Sequence, residues 1–323
     1  MKTTRLLFVL GLGALALQAH GQAAHFPTKP IRLVIGFAPG GAADQVARAM
    51  SDEFGKALGQ TVIVDNKPGA GSSIAADIVA KAPPDGHTVL IASPSSISVN
   101  PALNPKIGYT PKDLLPVTKI TTSPLVLAVN PATGIESVAD LIAVAKKYPD
   151  KLNYATSGNG SAPHLGAALF MQLTGAKMTH VPYRGGSLAI QSVMAGETQV
   201  TFGTSPTVLP MASGGKLRVL AVSTRERTAL VPDLPGMREA GLPEYNIEFW
   251  YGIFVPAATP PEVARLIHDA AVRAMKQPAV ADALARQGTE VSLSGSPENF
   301  AQFLAEDNRF WVDLVKSAKV TVD

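Results

Sequence analysis

From residue 30 onward the apolar positions follow two alternating rhythms. Ile31-Arg-Leu-Val-Ile35 is a β-branched run and predicts a strand. In Gln45 to Leu58 the apolar residues Val46, Ala49, Met50, Phe54 and Ala57 recur every three or four positions, which predicts a helix. The same exchange continues downstream. Strands are expected at Thr61 to Val64, Val89 to Ala92, Leu125 to Val129, Leu152 to Ala155, Met178 to Val181, Gln199 to Phe202 and Leu217 to Val222. Helices are expected at Ser73 to Lys81, Val138 to Lys147, Pro163 to Thr174 and Leu188 to Ala195. Ile247 to Val255 reads as extended, and helices from Pro261 and from Pro297 close the chain. Repeated strand–helix units predict parallel sheets with helices on both faces. The run is long enough for two sheets, hence two lobes. No low-complexity linker divides the halves, so strands crossing between the lobes are expected to join them.

The first 23 residues break the rhythm. Lys2 and Arg5 precede an apolar stretch, Leu6 to Leu17, and a short polar segment ends at Ala23. That is the pattern of a signal peptide cleaved near Ala23, so the mature chain is expected in the periplasm. No later segment reaches the roughly 18 apolar residues of a spanning helix. Composition is that of a globular protein, 46% hydrophobic and 16% charged. Without Lys2 and Arg5 the 28 basic residues become 26 against 25 acidic, a net charge of +1. No basic run marks a nucleic-acid groove. Cysteine is absent, which excludes disulfides, thiolate metal sites and a lipidated cysteine.

Open α/β sheets bind ligands at the carboxyl ends of their strands, so the strand-to-helix turns carry the chemistry. The first is Phe37-Ala-Pro-Gly-Gly-Ala-Ala-Asp44. Gly40 and Gly41 after Pro39 allow backbone N–H groups to converge at a helix start and hold an anion, or simply make a tight turn. Asp44 stands where its carboxylate either caps the helix or reaches a ligand. The second is Thr156-Ser-Gly-Asn-Gly-Ser161. There Gly158 and Gly160 free the backbone, and Ser157, Asn159 and Ser161 add neutral donors suited to a carboxylate. His164 follows at the amino end of a helix, where the dipole disfavours its protonated form. Ser93-Pro-Ser-Ser96 contributes the hydroxyls of Ser93, Ser95 and Ser96, and Phe202-Gly-Thr-Ser205 those of Thr204 and Ser205.

Enzyme motifs are missing. There is no Gly-x-Ser-x-Gly elbow and no phosphate-binding GxxxxGK[ST] loop. Ser161 and His164 lack an acidic partner nearby, which disfavours a Ser–His hydrolase. Gly69-Ala-Gly-Ser-Ser-Ile-Ala75 mimics a dinucleotide fingerprint but lacks its last glycine, and reads as a structural turn. The histidines show no zinc-site pairing with carboxylates. No cofactor and no metal are expected.

Several segments in fixed order resemble the periplasmic binding proteins of tripartite tricarboxylate transporters, the Bug family. They are Pro27-Thr-Lys-Pro30, Val34-Ile-Gly-Phe-Ala-Pro-Gly-Gly41 with Asp44, Asn66-Lys-Pro-Gly-Ala-Gly71, Ala82-Pro-Pro-Asp-Gly-His87, Leu152 to Ser161 with His164, His180-Val-Pro-Tyr-Arg-Gly185, Gly214 to Ser223 and Trp250-Tyr-Gly-Ile-Phe-Val-Pro256. The resemblance implies a two-lobed α/β Venus-flytrap fold, each lobe a mixed, mostly parallel sheet flanked by helices. Lobe 1 would comprise residues 24–123 and 248–323, and lobe 2 residues 124–247, with crossings near Thr121 to Leu127 and Glu248 to Gly252. It implies that the Gly40–Gly41 turn, with Phe37, Pro39 and Ala42, and the Ser157 to Ser161 turn grip a ligand carboxylate from opposite lobes. The partners implied are a small carboxylate and the membrane permease subunits, the chain itself acting as a monomer. A sensor feeding a signalling receptor is the alternative. Two departures bear on the ligand. Ala42-Ala43 replaces a hydroxyl-bearing residue common before Asp44, and Gly203-Thr204-Ser205 offers no acidic group for a ligand amine, which favours a plain mono-, di- or tricarboxylic acid, aromatic acids included.

Overall fold

Strands that are apolar on both faces set the architecture, because each must be covered by helices on both sides. The computed structural model describes residues 26–318 apart from residue 105; the expected signal peptide lies outside the described residues. In the first lobe β1 (Ile31–Ile35), β2 (Val62–Asn66) and β3 (Thr88–Ala92) pair in parallel, with β1 in the middle. Their crossovers are α1 (Ala42–Leu58) and α2 (Ser73–Ala80). Ile31, Leu33 and Ile35 enter one core and Val34 the other, the period-2 alternation of a strand. Helix α1 stops at Gly59, whose φ of +73° lets its N–H close back on the Gly55 and Lys56 carbonyls.

After a π-turn at Ser95–Val99 and the short α3 (Asn100–Leu103), the chain enters β4 (Leu114–Val129), 16 residues long. The second lobe follows: α4 (Val138–Lys147), β5 (Asn153–Thr156), α5 (Ala162–Thr174), β6 (Thr179–Pro182), α6 (Gly186–Ala195), β7 (Val200–Thr204), α7 (Ser205–Ala212) and β8 (Arg218–Val222). Here β6-β5-β7 are parallel, and β4 runs antiparallel to β7 and β8. The chain returns through β9 (Glu248–Pro256), antiparallel to both β3 and β4. It ends with α8 (Pro261–Met275), α9 (Pro278–Ala285), the two-residue β10 (Glu290–Val291) and α10 (Pro297–Ser317). Among the described residues no helix is long and apolar enough to cross a membrane.

Strand β4 belongs to both sheets. Up to Pro124 it pairs with β9; from Leu125 it pairs with β7 and β8. Pro124 has no N–H to give, and it stands at the point where the partner changes. Ser223, just after β8, fastens this junction. Its Oγ accepts from the Leu125 amide at 2.7 Å and donates to the Ile247 carbonyl at 2.6 Å, while its backbone bonds Leu125 and Ile247 as well.

The periodic elements fall where expected, within a few residues. The differences have local causes. The strand expected at Leu125 to Val129 is only the last third of β4, because Pro116, Pro124 and the polar run Thr118 to Ser123 hide the remainder. Register shifts near Pro116 and Lys119 accommodate them. Helix α1 starts at Ala42, not Gln45, because Gly41 already serves as its N-cap. The Ser95–Leu103 helical segment, α7, α9 and β10 are short or rich in serine, proline and glycine, and give no periodic signal.

Replacing Ser223, which is 1% exposed, tests the junction. Ser223→Ala leaves the buried Leu125 N–H and Ile247 C=O each short of a partner. It is expected to lower unfolding free energy by about 2–4 kcal/mol, read from a urea midpoint.

Candidate functional site

The turns at the carboxyl ends of β1, β3, β5 and β7 converge on one cavity between the lobes. The first lobe contributes Phe37, Gly41, Ala42, Ser95 and Tyr251; the second contributes Ser157, the Ala162–Pro163 helix start and Thr204. No charged side chain lines it among the described residues.

The first turn spends much of its polarity on itself. Gly40 has a φ of +77°, open to glycine. Its N–H donates to Asp44 Oδ2 at 2.9 Å, and the Gly41 N–H to the Ala38 carbonyl at 3.3 Å. Gly41 itself has an ordinary φ of −78°, so its lack of a side chain leaves space, not a special dihedral. Asp44 also accepts from Arg48 Nε at 2.9 Å and Asn66 Nδ2 at 3.1 Å. Burial would raise its pKa, but the bonds from Arg48, Gly40 and Asn66 outweigh burial and hold it below the usual carboxylate range. Pro39, Gly40 and Asp44 therefore frame the turn and are not part of the lining. The donors presented to the cavity are one step further on, at the first turn of α1, where helical N–H groups have no partner four residues back.

In the second turn Gly158 N–H donates to Thr156 Oγ1 at 3.2 Å and Gly160 N–H to His164 Nδ1 at 3.2 Å. Ser161 is the N-cap of α5, yet its hydroxyl makes no capping bond. That hydroxyl is buried without a partner in the protein, as are those of Ser93, Ser95 and Ser96. Buried hydroxyls without a partner are rare; of these four, Ser95 lines the cavity, while Ser93, Ser96 and Ser161 lie on the adjoining turns outside its lining. Asn159 and Gly160 face the other lobe rather than this cavity: a Cβ at Gly71 would collide with the Asn159 carbonyl, and one at Gly160 with Asn100 Oδ1. Ser205 Oγ donates to the Pro124 carbonyl at 2.8 Å, so it holds the crossing strand. Thr204 lines the cavity and shares a hydrogen bond with Thr207.

His164 lies under the second turn. Its ring stacks on His180 at 3.9 Å, and His180 stacks on Tyr154 at 5.0 Å. Burial, then the neighbouring His180, push the His164 pKa down to about 3; burial pushes that of His180 down to about 4. Both rings are neutral at pH 7. His164 Nδ1 thus accepts the Gly160 amide and shapes the turn instead of supplying charge.

Several lining residues escaped the sequence reading, among them Gly186, Ala189 and Ile190 of α6, Thr201 and Gly203 of β7, and two on β9. Tyr251 and Phe249 sit two apart on β9 and share the face toward the cavity. Burial raises the Tyr251 phenol pKa, leaving a neutral O–H at the wall. Period-2 spacing on an expected crossing strand was the available signal.

The lobes touch. Gln45 Nε2 donates to the Pro206 carbonyl and Ser187 Oγ to the Pro39 carbonyl, each at 3.4 Å. Among the described residues no group of three His, Asp or Glu is arranged to hold a metal ion. A two-lobed mixed α/β fold with crossing strands and a neutral, donor-lined interlobe cavity defines a periplasmic solute-binding protein. The family model for the tripartite tricarboxylate transporter family receptor, TctC, matches residues 46–320, and the chain belongs to that family. It is 33% identical to protein BugT of Bordetella pertussis over 98% of each chain. It is similar to R. palustris Rpa4515, solved with adipate, with a TM-score of 0.88, 32% identity, and coverage of 92% of this chain and 99% of that one. MatC (Rpa3494) from Rhodopseudomonas palustris, solved with bound malate, gives a TM-score of 0.85, 32% identity, and coverage of 90% and 100%.

The imidazoles set a pH dependence. Each is neutral in the fold with a depressed pKa, whereas in the unfolded chain it takes a proton near pH 6.5. The unfolded state therefore binds more protons below about pH 6.5, and stability is expected to fall as pH drops from there toward 4. The slope is at most about 1.4 kcal/mol per pH unit for each ring. His164→Asn, which keeps an acceptor for Gly160, is expected to flatten the urea-midpoint profile between pH 6.5 and 4.5.

Proposed function

We propose that this chain is exported, captures a small carboxylate in the interlobe cavity, and presents the closed form to the permease subunits of a tripartite tricarboxylate transporter. The observation that carries this reading is the cavity wall: the start of α1 and the partnerless buried Ser95 hydroxyl from one lobe, Ser157 and Thr204 from the other, with no charged group. Such a wall suits an anion whose charge is spread over two oxygens, because each neutral donor takes a share without a buried counter-charge. The adipate in Rpa4515 and the malate in MatC support the same ligand class.

The lobes in this reading are residues 24–123 with 248–323, and residues 124–247. Ligand contacts to both exist only when the cleft is closed, and that difference in affinity is what drives closure. The hinge is the pair of crossing segments. One chain supplies both walls, so a monomer suffices. No chemical step is involved: an acid should saturate the protein at one equivalent and be recovered unchanged.

A thermal-shift screen over mono-, di- and tricarboxylates should reveal the ligand as the compound that raises the melting temperature. Gly41→Val puts a branched side chain into the cavity at a dihedral valine accepts, so binding by calorimetry is expected to be lost with the fold retained. Ser161→Ala is expected to weaken binding by about 1–3 kcal/mol. Unaltered affinity in both variants would reject this cavity as the carboxylate site.

A further inference from the structure

A second cavity opens beside the first, and Phe37 and Ser157 line both. Three features set it apart. Arg184, on the turn between β6 and α6, lines it and is exposed. Arg184 is the sole charged residue in either lining, and it makes no salt bridge among the described residues. Opposite, on lobe 1, the turn from Gly69 to Ser72 runs through four consecutive positive φ values, +135°, +47°, +57° and +79°. Ala70 and Ser72 adopt the left-handed region although neither is glycine, a costly conformation that proteins keep chiefly where it serves a site. Ser72 is 1% exposed and its hydroxyl has no partner in the protein.

We infer that this cavity is an outer subsite that receives the far carboxylate of a dicarboxylic acid, with Arg184 as its charged partner. The inference rests on the proposed carboxylate grip in the inner cavity. The inner carboxylate is held by neutral donors, so a second carboxylate passing Phe37 and Ser157 meets the single cation in the cleft. A guanidinium offers a two-pronged match to a carboxylate. No acidic side chain lines either space to repel it. The wall it passes is apolar on one side, Phe37, which suits a methylene chain. Since the subsite draws Ser157 and Asn159 from lobe 2 and Gly71 and Ser72 from lobe 1, a diacid of sufficient length reinforces closure where a monoacid of the same length does not.

The test compares adipate with hexanoate, which has the same six-carbon chain and one carboxylate fewer, by calorimetry on the full mature chain. Wild type is expected to bind adipate about tenfold more tightly. Arg184→Gln is expected to remove that preference while changing hexanoate affinity less than about twofold, with an unshifted melting temperature. Raising salt from low to moderate should weaken adipate in wild type more than in the variant. Equal binding of the two acids by wild type, or an Arg184→Gln effect that is nil or the same for both, overturns the subsite. Gly41→Val and Ser161→Ala together separate the two readings. Loss of both acids there supports the inner grip. No loss of either, with Arg184→Gln still selective against adipate, removes the inner grip and leaves the outer site standing. Absence of binding of either acid to wild type overturns both.

Discussion

One strand holds the molecule together and apart. Because β4 is a central member of two sheets, neither lobe is complete without it. Its change of partner at Pro124 is the narrow place in the fold, and Ser223 ties it to the return of the chain at Ile247. On the proposed reading, this junction of two crossing segments is the hinge about which the lobes rotate. It also fixes where the carboxyl ends of β1, β3, β5 and β7 point, which is toward each other across the cleft. The site is thus a consequence of topology before it is a consequence of particular side chains.

The side chains then decide what the cleft does with charge. Its conspicuous ionisable groups near the two turns are occupied or neutralised. Asp44 is saturated by Gly40, Arg48 and Asn66; His164 and His180 are stacked and kept uncharged by burial. What remains toward the cavity is amide and hydroxyl, held in place by those same groups. A fixed set of neutral donors in a space shielded from water interacts with an anion more strongly than in bulk solvent and needs no reorganisation. The gain is largest when both lobes contribute. On the proposed reading, that is the coupling between capture and closure.

The sequence revealed some of this and concealed the rest, for physical reasons. Periodicity and glycine placement located both turns, and the structure brings both to one cavity. It did not reveal that Gly40 and Gly41 spend their amides internally, because a hydrogen bond to Asp44 four residues away has no periodic signature. Ser205 looked like a donor and is instead bonded to Pro124, 81 residues distant. Tyr251 was visible only as part of an extended run, since its role depends on which face of β9 meets α1. The long β4 was obscured by its own prolines, which are what allow it to change sheets. The Gly69 to Ser72 turn read as structural; the positive φ of Ala70 and Ser72 is a property of tertiary packing and cannot be read from residue type.

The central claim is that ligand capture and lobe closure are one event. The chain has no cysteine, so spin labels can be placed uniquely, one on Lys56 in the first lobe and one on Lys177 in the second, through Lys56→Cys and Lys177→Cys. The decisive measurement is the distribution of distances between them with and without saturating adipate or the best acid from the screen. The account predicts a broad distribution without ligand that collapses to a single narrow population with it, and fails to collapse in Gly41→Val. A distribution that saturating ligand leaves unchanged would contradict it.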